Sequence, residues 1–118
     1  MPVLDSNFLI LLAAKEATAT SALERLAHED LLVPWIVAAE YLCKVDDPVT
    51  ELHALHKSFR VVHSTDESVL EAARLRSLVP ATKAEKPRWP DIHIAAVARL
   101  EGTFVVTTNK RHFRSLGV

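Results

Sequence analysis

The sequence predicts an α/β fold built on a parallel sheet. Short β-branched runs recur at "PVL", "LLVP", "FRVVH" and "TFVVTT", with helix-patterned segments between them. Alternation of that kind implies βα units. The chain also holds only two glycines, which argues against a hairpin-rich β fold and against a glycine-rich phosphate loop. Its 118 residues are read as one domain over 1–118, able to bury roughly two thirds of its unfolded surface without staples. A hydrophobic share of 49% beside a charged share of 25% marks a globular rather than a disordered chain. Cys43 is the lone cysteine, so no internal disulfide can form, and a reducing, cytoplasmic setting is expected.

"PVL" reads as a short buried first strand. Residues 7 to 15 follow as a helix that is apolar nearly all round, which means burial in a core or an interface. Residues 20 to 28 form a second helix with Leu23 and Leu26 inward. "LLVP" is the second strand, stopped by Pro34. Residues 36 to 44 are helical, and "DDP" breaks that helix. Asp47 then caps a helix over 49 to 57 with Pro48 in its first turn. "FRVVH" is the third strand. Ser64, Thr65 or Asp66 caps the next helix, in which Val69, Ala72, Ala73 and Leu75 or Arg76 follow helical spacing. Residues 79 to 90 hold three prolines and four charges and read as an irregular segment of a kind often used for function. Residues 91 to 100 are helical, and Gly102 is the expected terminator. "TFVVTT" is the fourth strand, and "NKRHFRSL" reads as a short final helix.

No run approaches the ~20 apolar residues that span a membrane. The run from Phe8 to Ala14 is too short for a secretory signal core, and no Lys or Arg precedes it. Net charge is −1 but unevenly spread: residues 1–82 balance at −5 and residues 83–118 at +4. A basic surface attracts phosphate through counterion release. Small charge clusters of this kind also serve simply as solvated faces.

Ligands of parallel sheets bind at the carboxyl ends of the strands. Asp5 falls at that end of the first strand and Asn109 at that end of the fourth. Asp91 precedes a helix, as Asp5 does, and Asn109 begins one. All three residue types are preferred helix N-caps, so each position has that second explanation. Glu40 does not. It lies mid-helix on a face shared with Ile36 and Cys43, which predicts burial of that face and of the Cys43 thiol. A buried glutamate must be protonated, paired or bound to a cation. Carboxylates gathered together raise one another's pKa unless a cation sits between them. Mg²⁺ and Mn²⁺ take oxygen ligands and keep several waters. A metal held there can activate water and steady the charge on a phosphodiester.

Other candidates carry less. His53 and His56 lie three residues apart on a helix with no Cys pair or third ligand nearby, so a zinc site is not expected. His93 follows Asp91 by two residues and points to a different side. An aspartyl-nucleophile phosphatase needs Asp-x-Asp after the first strand, and Asn7 stands at the second of those positions.

"VLDSNFLI", "VAAEYL", "PDIHIAAVARLEGTFVVTTN" and "NKRHF" together resemble the PIN domain, and in particular the VapC-like toxins of prokaryotic toxin–antitoxin pairs. The four motifs stand in the family's order over the whole chain. The resemblance implies a Rossmann-like sheet of about four strands with an acidic pocket at its carboxyl edge. It implies Asp5, Glu40 and Asp91 as metal ligands, Asn109 as the fourth catalytic position, and Ser6, Asn7 and Thr107 in support. Arg88, Lys110, Arg111 and His112 are the candidates for RNA contact. It further implies Mg²⁺, with Mn²⁺ as a substitute, metal-dependent hydrolysis of RNA, a homodimer, and a small antitoxin that blocks the pocket. Asn109 stands where many members carry Asp, which removes one charge. The family usually continues into a fifth, edge strand where this sequence stops, so an exposed edge beside the fourth strand is expected. The rival expectation is a PIN-like module that binds protein or RNA without cutting.

Overall fold

The computed structural model describes residues 1–26, 29–80, 87–108, 113 and 116–117. Its elements run β1 (Val3–Leu4), α1 (Ser6–Ala13), α2 (Ala17–Arg25), β2 (Leu32–Pro34), α3 (Trp35–Leu42), α4 (Pro48–Ser58), β3 (Arg60–Val62), α5 (Asp66–Ser77), α6 (Trp89–Leu100) and β4 (Val105–Val106). The strands form one sheet in the order β3-β2-β1-β4, and every pairing is parallel. Val3 is in register with Leu32 on one side and Val105 on the other. The expected α/β architecture is therefore present, with β4 at an edge of the sheet among the described residues. No helix among those residues is long and apolar enough to cross a membrane.

The strands are shorter than their apolar runs. β1 stops after two residues because Asp5 already caps α1, and a parallel neighbour pairs only where its partner is extended. "TFVVTT" accordingly contributes two ladder residues and "FRVVH" three. Val3, Leu4, Leu32 and Val33 are fully buried, as parallel strands covered on both faces require. Helices α1, α3 and α6 lie against this layer through Phe8 and Leu9, Val37 and Ala38, and Ile92 and Ile94.

Helix boundaries follow cap chemistry. Asp47 accepts from Thr50 N at 3.2 Å with Pro48 in the first turn, as the sequence indicates. Thr65 is the cap of α5, in a reciprocal pair with Ser68. α2 begins three residues before its expected start because Glu16 accepts from Thr18 N and Ala19 N at 3.0 and 2.9 Å. Leu23 and Leu26 are half-buried and Ala19 is the buried residue of that helix. α1 ends in a Schellman arrangement: Glu16 N donates to Leu11 O and Lys15 N to Leu12 O, both at 3.0 Å. Lys15 takes the left-handed position there, φ 57°. Gly102, φ 63°, holds the same position after α6.

The inward stripe of α5 is Ser68, Ala72 and Leu75, continued by Val79, and not the one through Val69. Val69 is exposed, since the helix turns its Ser68 edge toward α6 and satisfies the serine hydroxyl within the cap. Glu71 ties the outer seam together. It accepts from both guanidinium arms of Arg74 and from Arg99 Nε at 3.2 Å, while Arg99 Nη1 donates to Gly117 O at 3.3 Å. The α5–α6 pair and the segment around Gly117 therefore share one carboxylate.

Hydrogen bonding from Arg74 holds the Glu71 carboxyl below its usual range, with Arg99 adding to it. A depressed folded-state pKa adds stability above the ordinary glutamate range, and that stability is lost as pH falls through the folded value. Glu71→Gln should therefore unfold at lower urea than the parent at neutral pH, with the gap closing as pH falls. A gap that does not change with pH would contradict the ion-pair account.

Candidate functional site

The topology fixes where polar residues can gather. α1 leaves the carboxyl end of β1, α3 leaves that of β2, and Thr107 follows β4. α6 leads into β4 and runs back along the sheet, so its first turn lies at the same end. Asp5, Glu40, Asp91, Arg88 and Thr107 are thereby delivered to one edge by four separate segments.

Asp5 is held from three directions. Its backbone N–H donates to Val106 O at 3.0 Å and extends the β1–β4 ladder by one bond. Its Oδ1 accepts from Ser6 N at 2.7 Å and so caps α1, with the Ser6 hydroxyl at 3.4 Å. Its Oδ2 accepts from Thr107 Oγ1 at 2.7 Å. The residue is only 5% exposed, so these bonds stand in for water around a buried carboxylate. The capping role read from the sequence is real here.

Asp91 is different. α6 begins at Trp89 with Arg88 as its cap residue, two positions earlier than expected, because Pro90 suits a first turn. Asp91 therefore lies inside the first turn and is not the cap. It is as buried as Asp5, and its charge is favourably placed against the positive helix end.

Glu40 is half-buried at the rim of this cluster. Its carboxyl is pushed up from the usual range, first by burial, then by the charges of Asp5 and Asp91; Arg88 and a hydrogen bond from Ser6 oppose the shift. Asp5, Asp91 and Arg88 therefore all act on the Glu40 carboxyl. The expected burial of the Ile36–Glu40–Cys43 face is corrected. α3 turns Val37, Ala38 and Tyr41 inward, Ile36 and Glu40 lie at the rim, and Cys43 is exposed at the helix end. The inward stripe is displaced by one residue, which is why Glu40 reaches the pocket edge and the thiol does not enter the core. Its Sγ donates to Glu40 O at 3.0 Å.

Arg88 is exposed at the start of α6, and Asn7 is exposed in the first turn of α1. Asn109, Lys110, Arg111 and His112, the remaining expected site and RNA-contact residues, lie outside the described residues, as does most of the final helix expected over "NKRHFRSL".

A second cluster at the same sheet end has no counterpart in the sequence reading. Trp35, the first residue of α3, donates its indole N–H to Ser64 Oγ. Ser64 Oγ lies 3.3 Å from His93 Nε2. The Trp35 and His93 rings meet edge to face, with centroids 5.9 Å apart at 68°. Burial pushes the His93 imidazole down from its usual range and favours its neutral form. The available signal was a tryptophan directly after Pro34 at the carboxyl end of a predicted strand.

The donor set around Glu40 is all oxygen, which suits a hard divalent cation and not zinc. Among the described residues no three His, Cys, Asp or Glu side chains form a ready-made cage. Mg²⁺ needs none, since it keeps several waters and takes one or two carboxylates together with phosphate oxygens. Asp5, Glu40 and Asp91 offer oxygen donors of the type such an ion takes.

Thr107→Val keeps the shape of that residue and removes the donor to Asp5. It should lower unfolding free energy by about 1–3 kcal/mol in urea titration, the usual cost of a lost hydrogen bond to a charged group. No measurable change would mean that the Asp5–Thr107 bond does not secure β4.

Comparison with known proteins agrees with this fold. The fold matches a toxin–antitoxin complex from Klebsiella pneumoniae with TM-score 0.78 at 22% identity, over 96% of this chain and 90% of that one. FitAcB from Neisseria gonorrhoeae matches with TM-score 0.78 at 23% identity, over 100% and 94%. VapBC2 from Rickettsia felis, bound to a DNA fragment from its promoter, matches with TM-score 0.71 at 19% identity, over 95% and 90%. Identities this low establish likeness of fold. No curated protein sequence matches the chain. The family model of the PIN domain matches residues 3–118, and the chain belongs to the PIN domain family.

Proposed function

We propose that this protein is a metal-dependent endoribonuclease and acts as the toxin of a VapC-like toxin–antitoxin pair. The observation that carries the reading is the placement of Glu40 with the buried Asp5 and Asp91, whose charges both oppose its ionisation, at the carboxyl end of a parallel sheet. Carboxylates gathered in a partly buried site are costly unless a cation joins them. Membership of the PIN family and the toxin–antitoxin complexes among its structural neighbours support the same assignment.

In this reading Asp5, Glu40 and Asp91 hold Mg²⁺, with Mn²⁺ as a substitute. The cation supplies Lewis-acid stabilisation of charge on the phosphodiester and makes a water nucleophile easier to deprotonate. The chain's own groups set the stage for it. Thr107 and the Ser6 backbone fix both oxygens of Asp5, so its orientation costs nothing at the moment of reaction. Ser6 also favours the ionised form of Glu40. Arg88 offsets part of the negative field and offers a guanidinium to RNA phosphate. Asn109, Lys110, Arg111 and His112 complete the proposed catalytic and RNA-contact set, with Asn7 beside Ser6. A small antitoxin protein, a homodimeric assembly, a single domain over 1–118 and a cytoplasmic location belong to the same proposal.

Purified, partner-free protein should cleave RNA with Mg²⁺ or Mn²⁺ and not with EDTA. Asp5→Asn and Asp91→Asn should abolish cleavage, with the stability of Asp5→Asn within about 1 kcal/mol of the parent or higher, because like-charge repulsion is relieved. RNA binding by a folded protein that never cleaves any structured RNA, tRNA or rRNA fragment would replace the enzyme with a binding module.

A further inference from the structure

The indole of Trp35 is fixed in place yet left open to solvent, and that combination needs an explanation. Pro34 delivers it from the end of β2 with little backbone freedom, φ −59°. Ser64, beyond the carboxyl end of β3, takes its N–H. His93 on α6 abuts its ring edge to face. Three separate segments therefore set the orientation of one side chain. Trp35 nevertheless keeps 40% of its surface exposed. A tryptophan serving only to pack would be expected to bury its ring area, since that area is its main contribution to stability. With the indole N–H engaged, what remains to offer a ligand is an oriented π face.

Its position says what that face meets. Trp35 precedes Glu40 by five residues, about 7.5 Å along the axis of α3. His93 follows Asp91 by two residues on α6. The platform and the carboxylate cluster thus stand on the same two helices at the same end of the sheet. Its contact partners, the hydroxyl of Ser64 and the imidazole of His93, are polar groups rather than the apolar side chains that receive a peptide helix. Trp89, 60% exposed on the same end of α6, has no side-chain hydrogen bond or ring contact to fix it among the described residues.

We infer that Trp35, positioned by Ser64 and His93, is a stacking platform for an unpaired RNA base next to the phosphodiester held at the carboxylates. The inference rests on the ribonuclease reading and adds a base-holding residue that lies outside the carboxylate cluster. Stacking on an aromatic face tolerates any base, so Trp35 supplies affinity and register and leaves sequence choice to other contacts.

Trp89→Phe leaves Trp35 as the sole tryptophan, because the chain has two. Its emission can be titrated with a short single-stranded RNA, and with an oligomer of equal length and charge that lacks bases. Ca²⁺ serves as the cation for both titrations. The base-bearing oligomer should quench Trp35 and bind more tightly than the abasic one. Trp35→Leu should weaken RNA binding by about 5- to 100-fold, the usual range for loss of one stacked base, while Trp35→Phe should retain most of it. Circular dichroism checks that each variant is folded.

Equal affinity for the two oligomers, or unchanged binding by folded Trp35→Leu, overturns the platform even where metal-dependent RNA cleavage is intact. Trp35 shielded by a co-purifying protein and insensitive to bases assigns the indole to a protein interface and overturns it too. Absence of both RNA binding and cleavage overturns the nuclease reading and the platform with it.

Discussion

Asp5 is the constraint around which the molecule is arranged. One residue ends β1, caps α1, extends the pairing to β4 and accepts the Thr107 hydroxyl. A buried carboxylate needs several donors at once, and those donors come from two chain segments a hundred residues apart. Satisfying it therefore docks the last strand against the first. The same act fixes the carboxylate whose charge bears on Glu40. Fold and proposed chemistry share these hydrogen bonds, so the architecture cannot relax without disturbing the site.

Much of this was legible in the residues. Alternating short strands and helices, with few glycines, pointed to a parallel sheet because that pattern has few other solutions. Asp47 with Pro48, and the Thr65 to Ser68 segment, marked helix starts because their side chains bond the local backbone. What escaped depended on contacts that sequence spacing does not encode. The stripe through Ile36, Glu40 and Cys43 is one residue away from the true inward face of α3, and only packing against α1 and α6 decides that rotation. Val69 lost its place to Ser68 for a related reason, since a cap can satisfy a buried hydroxyl and make a serine an acceptable inward residue. Asp91 read as a cap until Pro90 was seen to fall within the first turn.

The carboxylate cluster was expected as a set at the carboxyl end of the sheet, but sequence spacing alone did not show how its members act on Glu40. Asp5 and Asp91 each had a plausible local role as a cap, Glu40 had none, and the common end of the sheet joins them. Glu40 shows the coupling best, because its ionised form is opposed by burial and by both aspartates. The Trp35–Ser64–His93 group was invisible for the opposite reason. Its members come from three elements, none has unusual spacing, and the tryptophan sits where a helix start would pass without notice.

The account turns on whether the three carboxylates share a cation. Titration of the purified protein with Mn²⁺, followed by the loss of the free ion's paramagnetic resonance signal, reads that directly and does not depend on finding the RNA target. The account predicts saturable binding that Mg²⁺ displaces. It also predicts that Asp91→Asn, still folded, binds at least about tenfold more weakly, since even outer-shell changes at metal sites commonly cost that much. Mn²⁺ binding left unchanged by Asp91→Asn, or no binding by the folded parent protein, would contradict it.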